Sequence, residues 1–325
     1  MNPLSTLENA GIYAGIENRI CELREKINFD EDFSITGKFL YLTFRNKAPS
    51  EAEFAEFIYR KIIRYCIPRK KYQKAFEQFT RTGDERYITE LHDQAKNLFV
   101  KSMKERGAQL GEPGELIAFI ILEAFFNAPQ IACKMYLKTS EKMPIHGSDS
   151  VHIRMSEDGE RLELFWGEAK LYGNITDAMD RALDSISEFI NGKETQEDPR
   201  APRDRDIDII KDHPNVSSDA MEAALLKYFD PYEKESNNWK EVFFCMVGFD
   251  FDLYNKLQNI DDVELQDYFK AKYIDRIKSA CKLFEKKIKE KKMTDLEFAL
   301  VLLPFKDLDG FRREFQKKLG MTSKK

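Results

Sequence analysis

The stretch Ile145–Gly173, IHGSDSVHIRMSEDGERLELFWGEAKLYG, constrains this chain more than any other. Two runs rich in branched and aromatic residues flank a polar turn, Ser156–Glu160. Val151–Met155 alternates apolar and polar residues, whereas Leu162–Tyr172 is apolar almost throughout. That pattern predicts a hairpin whose second strand is buried on both faces. Glu168 and Lys170 stand inside the apolar strand, two residues apart and therefore on one face. Burying either charge is costly. Asp149 precedes the first strand in a Gly-Ser-Asp turn. Folding alone does not ask for three charges here. A purely structural reading makes Glu168 and Lys170 a buried ion pair, which usually costs more than it returns.

The flanking segments add an acid on each side. Gly111–Gly114 holds one Pro and two Gly, a clear break, and a helix over Glu115–Asn127 follows. Glu115 falls in its first turn, where a carboxylate also suits the helix dipole. Glu123 lies amid Ile120, Ile121, Leu122 and Phe125, where an acid is harder to excuse. Ala132–Lys138 reads as the first core strand. After Gly173, Asn174 is a good cap for ITDAMDRALDSISEFIN. Ile175, Met179, Leu183, Ile186 and Ile190 recur at helical spacing, and Asp177, Asp180, Asp184 and Glu188 make the other faces acidic.

An acidic helix, a strand after Asp149, a strand with Glu-x-Lys and a further helix resemble the PD-(D/E)xK core. The resemblance implies an α/β, restriction-endonuclease-like fold with a mixed sheet flanked by helices. HGSD followed by WGEAKLYGNITDAMDRALDSI is similar, over about Gly111–Asn191, to the HamA family, the nuclease subunit of Hachiman anti-phage systems. Ser148 stands where the broad nuclease motif has a Pro. The resemblance implies that Asp149 and Glu168 hold a metal with the Ala169 carbonyl. It makes Lys170 the residue that orients the attacking water, and Glu115 or Glu123 the upstream acid. Carboxylates with few other ligands suit Mg²⁺, with Mn²⁺ as a substitute. The implied substrate is DNA and the implied partner is the helicase subunit HamB. The Glu-x-Lys spacing is weak by itself, since Glu285–Lys287 and Glu290–Lys292 repeat it inside a Lys-rich helix. Two other readings stand: a non-catalytic subunit that only docks a partner, and a repair or restriction endonuclease acting alone.

The chain divides on this reading into a mostly helical N-terminal extension, residues 1–110, and a nuclease core, residues 111–325. Phe33–Arg45 suits a strand, and Ser50 opens a helix that runs to about Cys66, before Pro68. Phe57–Lys71 carries Arg60, Lys61, Arg64, Arg69, Lys70 and Lys71 with no acid, interleaved with Tyr59 and Tyr65, and Tyr72 follows. It reads either as a phosphate-contacting face or as a solvated face whose acidic partners lie elsewhere in space. Gly192–Pro202 is a polar loop, Ile207–Ile210 a short strand, Ser217–Tyr228 a capped helix and Val242–Phe251 a buried strand. Phe269–Lys292 is a helix with ten Lys or Arg against three acids. Phe298–Leu303 is a strand, Asp307–Leu319 a helix and Lys324–Lys325 a frayed tail.

Composition narrows the setting. A chain of 325 residues with 42% hydrophobic residues can bury one large core or two small ones. A net charge of −5 argues against a generally adhesive nucleic-acid binder, so contacts to DNA must come from local patches. Five scattered cysteines without a CxxC pair fit a reducing, cytoplasmic setting and no zinc site. The four histidines are not spaced as metal ligands, although His146 stands near Asp149. No signal peptide and no membrane span are expected. A non-specific nuclease would cut its own chromosome, so restraint is expected from another protein, docked on residues 1–110 or on the C-terminal helix.

Overall fold

Alternating and continuous apolar runs set the strands. The computed structural model describes Leu4 and residues 13–105, 112–137, 147–192 and 201–321. His146, most of the 192–202 loop and Lys324–Lys325 lie outside the described residues. The described strands are β1 (Ile20–Leu23), β2 (Ser34–Leu42), β3 (Phe44–Arg45), β4 (Ala48–Pro49), β5 (Gln130–Ala132), β6 (Ser150–Met155), β7 (Leu162–Leu171), β8 (Trp239–Asp250) and β9 (Glu297–Phe305). The chain forms two units, neither contiguous. One takes Met1–Tyr13, Ile58–Gly167 and Glu188–Glu241; the other takes Ala14–Phe57, Glu168–Ser187 and Val242–Lys325.

In the first unit β5, β6 and the start of β7 are antiparallel. The hairpin register sets Val151 against Trp166 and Met155 against Leu162. Its turn closes with the Ser156 N–H donating to Arg161 O at 2.8 Å, and Gly159 takes a positive φ of 72° that favours glycine. Every residue of β7 except Lys170 is buried, as the continuous apolar run predicts. The helix Glu112–Phe125 is buried all round from Leu116 to Leu122. The helices Ile62–Cys66, Arg69–Thr82, Arg86–Glu105, Pro202–Asp212 and Asp219–Leu226 complete this unit. Ser218 caps the last, accepting from the Met221 N–H at 3.3 Å.

The second unit is a mixed α/β arrangement. β1 is antiparallel to β2, β2 runs parallel to β9, and β9 runs parallel to β8. The helix Leu265–Glu290 supplies the long crossover that parallel β8 and β9 require. The end of β7 lies beside β8, where the Tyr172 N–H donates to Gly248 O at 3.0 Å. Gly248 must lack a side chain because a Cβ there would run into Leu171. Asn174 caps the helix Ile175–Asn191 as expected, accepting from the Thr176 N–H at 2.7 Å. Asp307 caps the helix Leu308–Lys318 through the Gly310 N–H at 2.9 Å. An aromatic cluster of Tyr41, Phe44, Phe251, Tyr254, Phe269 and Tyr273 fills one side of the core.

Two expected strands differ. Ile207–Ile210 belongs to the helix Pro202–Asp212, which starts with Pro202 in its first turn followed by Asp204. Lys138 lies outside the described residues, and of the rest of the run Ala132–Lys138 only Ala132 is strand, as the end of Gln130–Ala132, before a helical turn over Lys134–Leu137. That turn carries the Lys134 amine into a buried acceptor cluster described below. β1 has no counterpart in the sequence reading. No helix among the described residues is long and apolar enough to cross a membrane.

The Tyr273 hydroxyl lies 3.0 Å from Leu40 O and 3.1 Å from Leu302 O in a fully buried position. Tyr273→Phe should lower unfolding free energy by about 1 kcal/mol, the net worth of a typical buried hydrogen bond. Urea unfolding followed by circular dichroism measures it, and an unchanged midpoint would assign the hydroxyl no role.

Candidate functional site

The candidate residues divide between the two units. Asp149 and Glu115 belong to the first, Glu168, Ala169 and Lys170 to the second, and the Gly167–Glu168 peptide joins them. Asp149 is half-buried at the head of β6. Its backbone N–H donates to Gly167 O at 2.9 Å, which fixes the Asp149 backbone against the residue preceding Glu168. Glu115 is buried in the first turn of its helix, and its Oε2 accepts from the Tyr65 hydroxyl at 2.8 Å. Burial pushes the Tyr65 phenol well above its ordinary range, and the negative charges of Glu115 and Asp149 push it further. The hydroxyl therefore stays protonated and serves as a fixed donor to Glu115.

Glu123 is spent on structure. Its Oε1 accepts from Arg69 Nη2 at 2.7 Å and from the Gln130 N–H at 3.0 Å, while Oε2 accepts from the Tyr13 hydroxyl. A carboxylate with both oxygens engaged by a guanidinium, an amide and a phenol is a poor candidate for the upstream acid. Glu115, on the same helix, is met by the Tyr65 hydroxyl.

In the second unit Lys170 Nζ donates to Glu168 Oε1. The strand period places the two on one face, as the spacing predicts. Glu168 is buried and Lys170 half-buried. The Cys245 thiol stands within electrostatic reach of both; burial pushes it up, Glu168 adds to the rise and Lys170 opposes it. Cys245 is therefore a protonated, inert neighbour and no soft metal ligand. Ala169 is buried in the strand. Gly167 is small for a local reason: a Cβ there would run into Ser150 Oγ.

The turn before Asp149 rests on a pair the sequence reading missed. Lys134 Nζ donates to Asp206 Oδ2 at 2.6 Å and to Ser148 O at 2.6 Å. Asp206 Oδ2 also accepts from the Ser148 N–H at 3.0 Å and the Ser148 hydroxyl at 2.7 Å. Lys134 and Asp206 are 2% and 0% exposed, so neither charge has water to fall back on. Gly147 is required beside them, since a Cβ would sit 2.5 Å from Asp206 Oδ1. The signal for Lys134 was present, a lone cation amid Ala132, Cys133, Met135 and Tyr136. Nothing local separates Asp206 from Asp204 and Asp208.

Among the described residues no group of three His, Cys, Asp or Glu is gathered as a metal site. His152 is fully buried, with its Nδ1 2.7 Å from Ala128 O and its Nε2 without a partner. Burial pushes the imidazole down to about 3 from an ordinary 6.5. The basic run Phe57–Lys71 is in part neutralised in space, as its second reading held. Arg69 pairs with Glu123, and Lys70 pairs with Asp219 and Glu222 at 2.9 and 2.7 Å. Two lysines in and just after the basic helix Leu265–Glu290 are likewise met by acids of the Ile175–Asn191 helix, Lys287 by Asp180 and Lys291 by Asp184.

A family model for HamA matches residues 18–319, so the chain belongs to the HamA family. None of the curated proteins matches it.

The buried Lys134–Asp206 pair makes a directional prediction. Lys134→Met or Asp206→Leu alone should cost about 3–5 kcal/mol, because each leaves a buried charge unpaired. The double substitution should cost less than their sum, and a double-mutant cycle by denaturant unfolding measures the coupling. Additive losses would sink the assignment.

His152 predicts a pH dependence. A group whose folded pKa lies below its unfolded value gives stability that is full above the unfolded pKa and lost as pH falls toward the folded one. Between pH 6.5 and about 3 the protein should therefore lose up to ~1.4 kcal/mol per pH unit through His152. Glu51, pushed by burial up to about 7, acts in the opposite sense. The difference between parent and His152→Gln unfolding curves at pH 7 and pH 5 isolates the histidine, and no difference in slope would refute it.

Proposed function

We propose that this member of the HamA family is a Mg²⁺-dependent deoxyribonuclease with a PD-(D/E)xK catalytic core. Family membership makes it a component of a Hachiman anti-phage defence system. In our reading it is the effector of that system, restrained and delivered to DNA by a helicase partner, HamB. The observation that carries the activity is the buried Glu168 with Lys170 beside it, inside a strand that is apolar from Leu164 to Gly167 and again at Ala169 and Leu171. Asp149, held to the carbonyl of the residue before Glu168, supports the same reading.

The donor set fits a hard cation. Asp149, Glu168 and the Ala169 carbonyl offer oxygen, while the nearby thiol of Cys245 is held protonated by burial. Mg²⁺ binds through one or two carboxylates, keeps several waters and reaches substrate phosphate directly. So sparse a set suits it, and Mn²⁺ would substitute. When bound, the cation neutralises charge growing on the phosphoryl oxygens and makes water more acidic.

The protein's own groups do the rest. Asp149 and Glu168 would hold the cation through their carboxylates. Glu115, fixed by the Tyr65 hydroxyl, would act as the upstream acid and orient an outer water. Lys170 Nζ would orient the attacking water and place positive charge beside the transition-state phosphoryl group. A non-catalytic docking subunit would use the same Glu168–Lys170 pair only for structure. The two readings differ in which property fails when the pair is broken.

Asp149→Ala and Glu168→Ala should each abolish Mg²⁺-dependent cleavage of DNA by the activated complex while the fold survives. Lys170→Met should lose at least ~10²-fold in rate, in line with a positioned proton-transfer group, with little change in melting temperature. A purely structural pair predicts the reverse, a loss of about 3–5 kcal/mol in stability with turnover intact. Near-parental cleavage by the Asp149 or Glu168 variant would end the metal assignment.

A further inference from the structure

The helix Arg69–Thr82 is 14 residues long and none of its residues is buried. It carries Tyr72, Phe76 and Phe79 at spacings of four and three, which sets them along one stripe. The Tyr72 and Phe76 rings are stacked, centroids 6.2 Å apart and planes 10° from parallel; Phe79 follows at 6.3 Å. Phe76 is 50% exposed. The Arg64 guanidinium lies over the Tyr72 ring at 3.7 Å and extends the stripe by one planar group.

Cations border this stripe, and the described acids do not neutralise them all. Lys71 is held by the neutral Gln94 Oε1 at 2.6 Å and lies over the Tyr136 ring. Arg81 donates to the neutral Gln78 Oε1 at 2.5 Å. Lys74 is exposed. The helix carries Arg69, Lys70, Lys71, Lys74 and Arg81 against the single acid Glu77. Arg69 and Lys70 are met by carboxylates, as described above; among the described residues Arg64, Lys71, Lys74 and Arg81 make no ion pair.

We infer that Tyr72, Phe76 and Phe79 form a stacking platform for single-stranded DNA, with Arg64, Lys71, Lys74 and Arg81 reaching its phosphates. Every base has a π-face, so a row of aromatic side chains in a cationic setting binds single strands without reading sequence. Duplex DNA keeps its bases stacked inward and has no face to offer the rings. An aliphatic protein groove would not need the cations, and an acidic partner would not need three aromatic rings. The inference rests on DNA being the substrate, and it deepens that reading by naming the strand state the chain grips outside the candidate catalytic residues.

The test uses the full chain with Glu168→Gln, in EDTA, so that binding is measured without cleavage. Fluorescence anisotropy with a labelled oligo(dT) strand and a duplex of equal length gives the two affinities. Phe76→Ala should weaken oligo(dT) binding at least about tenfold, given the typical worth of one base–aromatic stack. It should leave duplex binding and the melting temperature close to the parent's, because the ring is half exposed. Phe76→Trp should keep the affinity. Lys74→Ala should weaken binding and lower the salt slope by about one. Unchanged oligo(dT) affinity in Phe76→Ala, or equal losses for single strand and duplex, would overturn the platform and leave the stripe as a protein-docking surface. The nuclease reading fails separately: a parent complex that never cuts DNA sinks that reading, whereas the platform stands or falls on anisotropy alone.

Discussion

A charge taken out of water must be met by a partner, and this requirement shapes the candidate site at each buried group. Lys134 and Asp206 are the strictest case, both buried and both bonded to Ser148. An isolated buried charge costs several kcal/mol, so neither residue keeps its place without the other. Their bonds end on the backbone of the residue before Asp149. The pair thus does for the turn what a strand ladder does for its neighbours: it removes alternatives. Glu123 with Arg69 and Tyr13 repeats the pattern, and holds the start of β5 through the Gln130 amide. Glu168 with Lys170 is the version in which the partner is partly open to solvent. Lys134 and Asp206, by contrast, are both closed to solvent.

How much was legible follows from how local each signal is. The β6–β7 hairpin, the Asn174 cap and the amphipathic helix after it each depend on neighbours a few residues away, and each was read correctly. Ile207–Ile210 failed because an acid–apolar alternation, DRDIDII, fits a strand period, while Pro202 and the buried Asp206 fix a helix from outside the window. Lys134 failed for the opposite reason. Its apolar neighbours suggested a strand, but its amine had to reach Asp206, 72 positions on. No window of sequence contains that constraint. The same holds for β1, whose four residues pair with β2 and have little local signature.

The candidate site was legible as chemistry rather than as geometry. Charges that apolar surroundings do not excuse pointed to Glu168, Lys170 and Glu123 alike. The structure separates them by what their oxygens already do. Glu123 is fully engaged, whereas Glu115, less conspicuous at a helix start, is held by a phenol that burial keeps protonated. The sequence reading named both Glu115 and Glu123 without separating them, because a first-turn acid needs no special explanation.

Net charge has to be read through pairing. The run Phe57–Lys71 suggested a phosphate-contacting face, yet several cations there and in the second basic helix are met by Glu123, Asp219, Glu222, Asp180 and Asp184. Among the described residues Arg64, Lys71, Lys74 and Arg81 are cations left for a polyanion. A net charge of −5 gives weak, salt-sensitive affinity for DNA, since each phosphate contact contributes through counterion release. A nuclease so equipped would not find duplex DNA unaided at physiological salt. Stacking is less sensitive to salt than phosphate contact, so exposed rings would shift the preference toward strands whose bases are already unpaired. On the proposed reading, a partner that opens duplexes would supply that substrate, and weak affinity for the duplex would then serve as restraint.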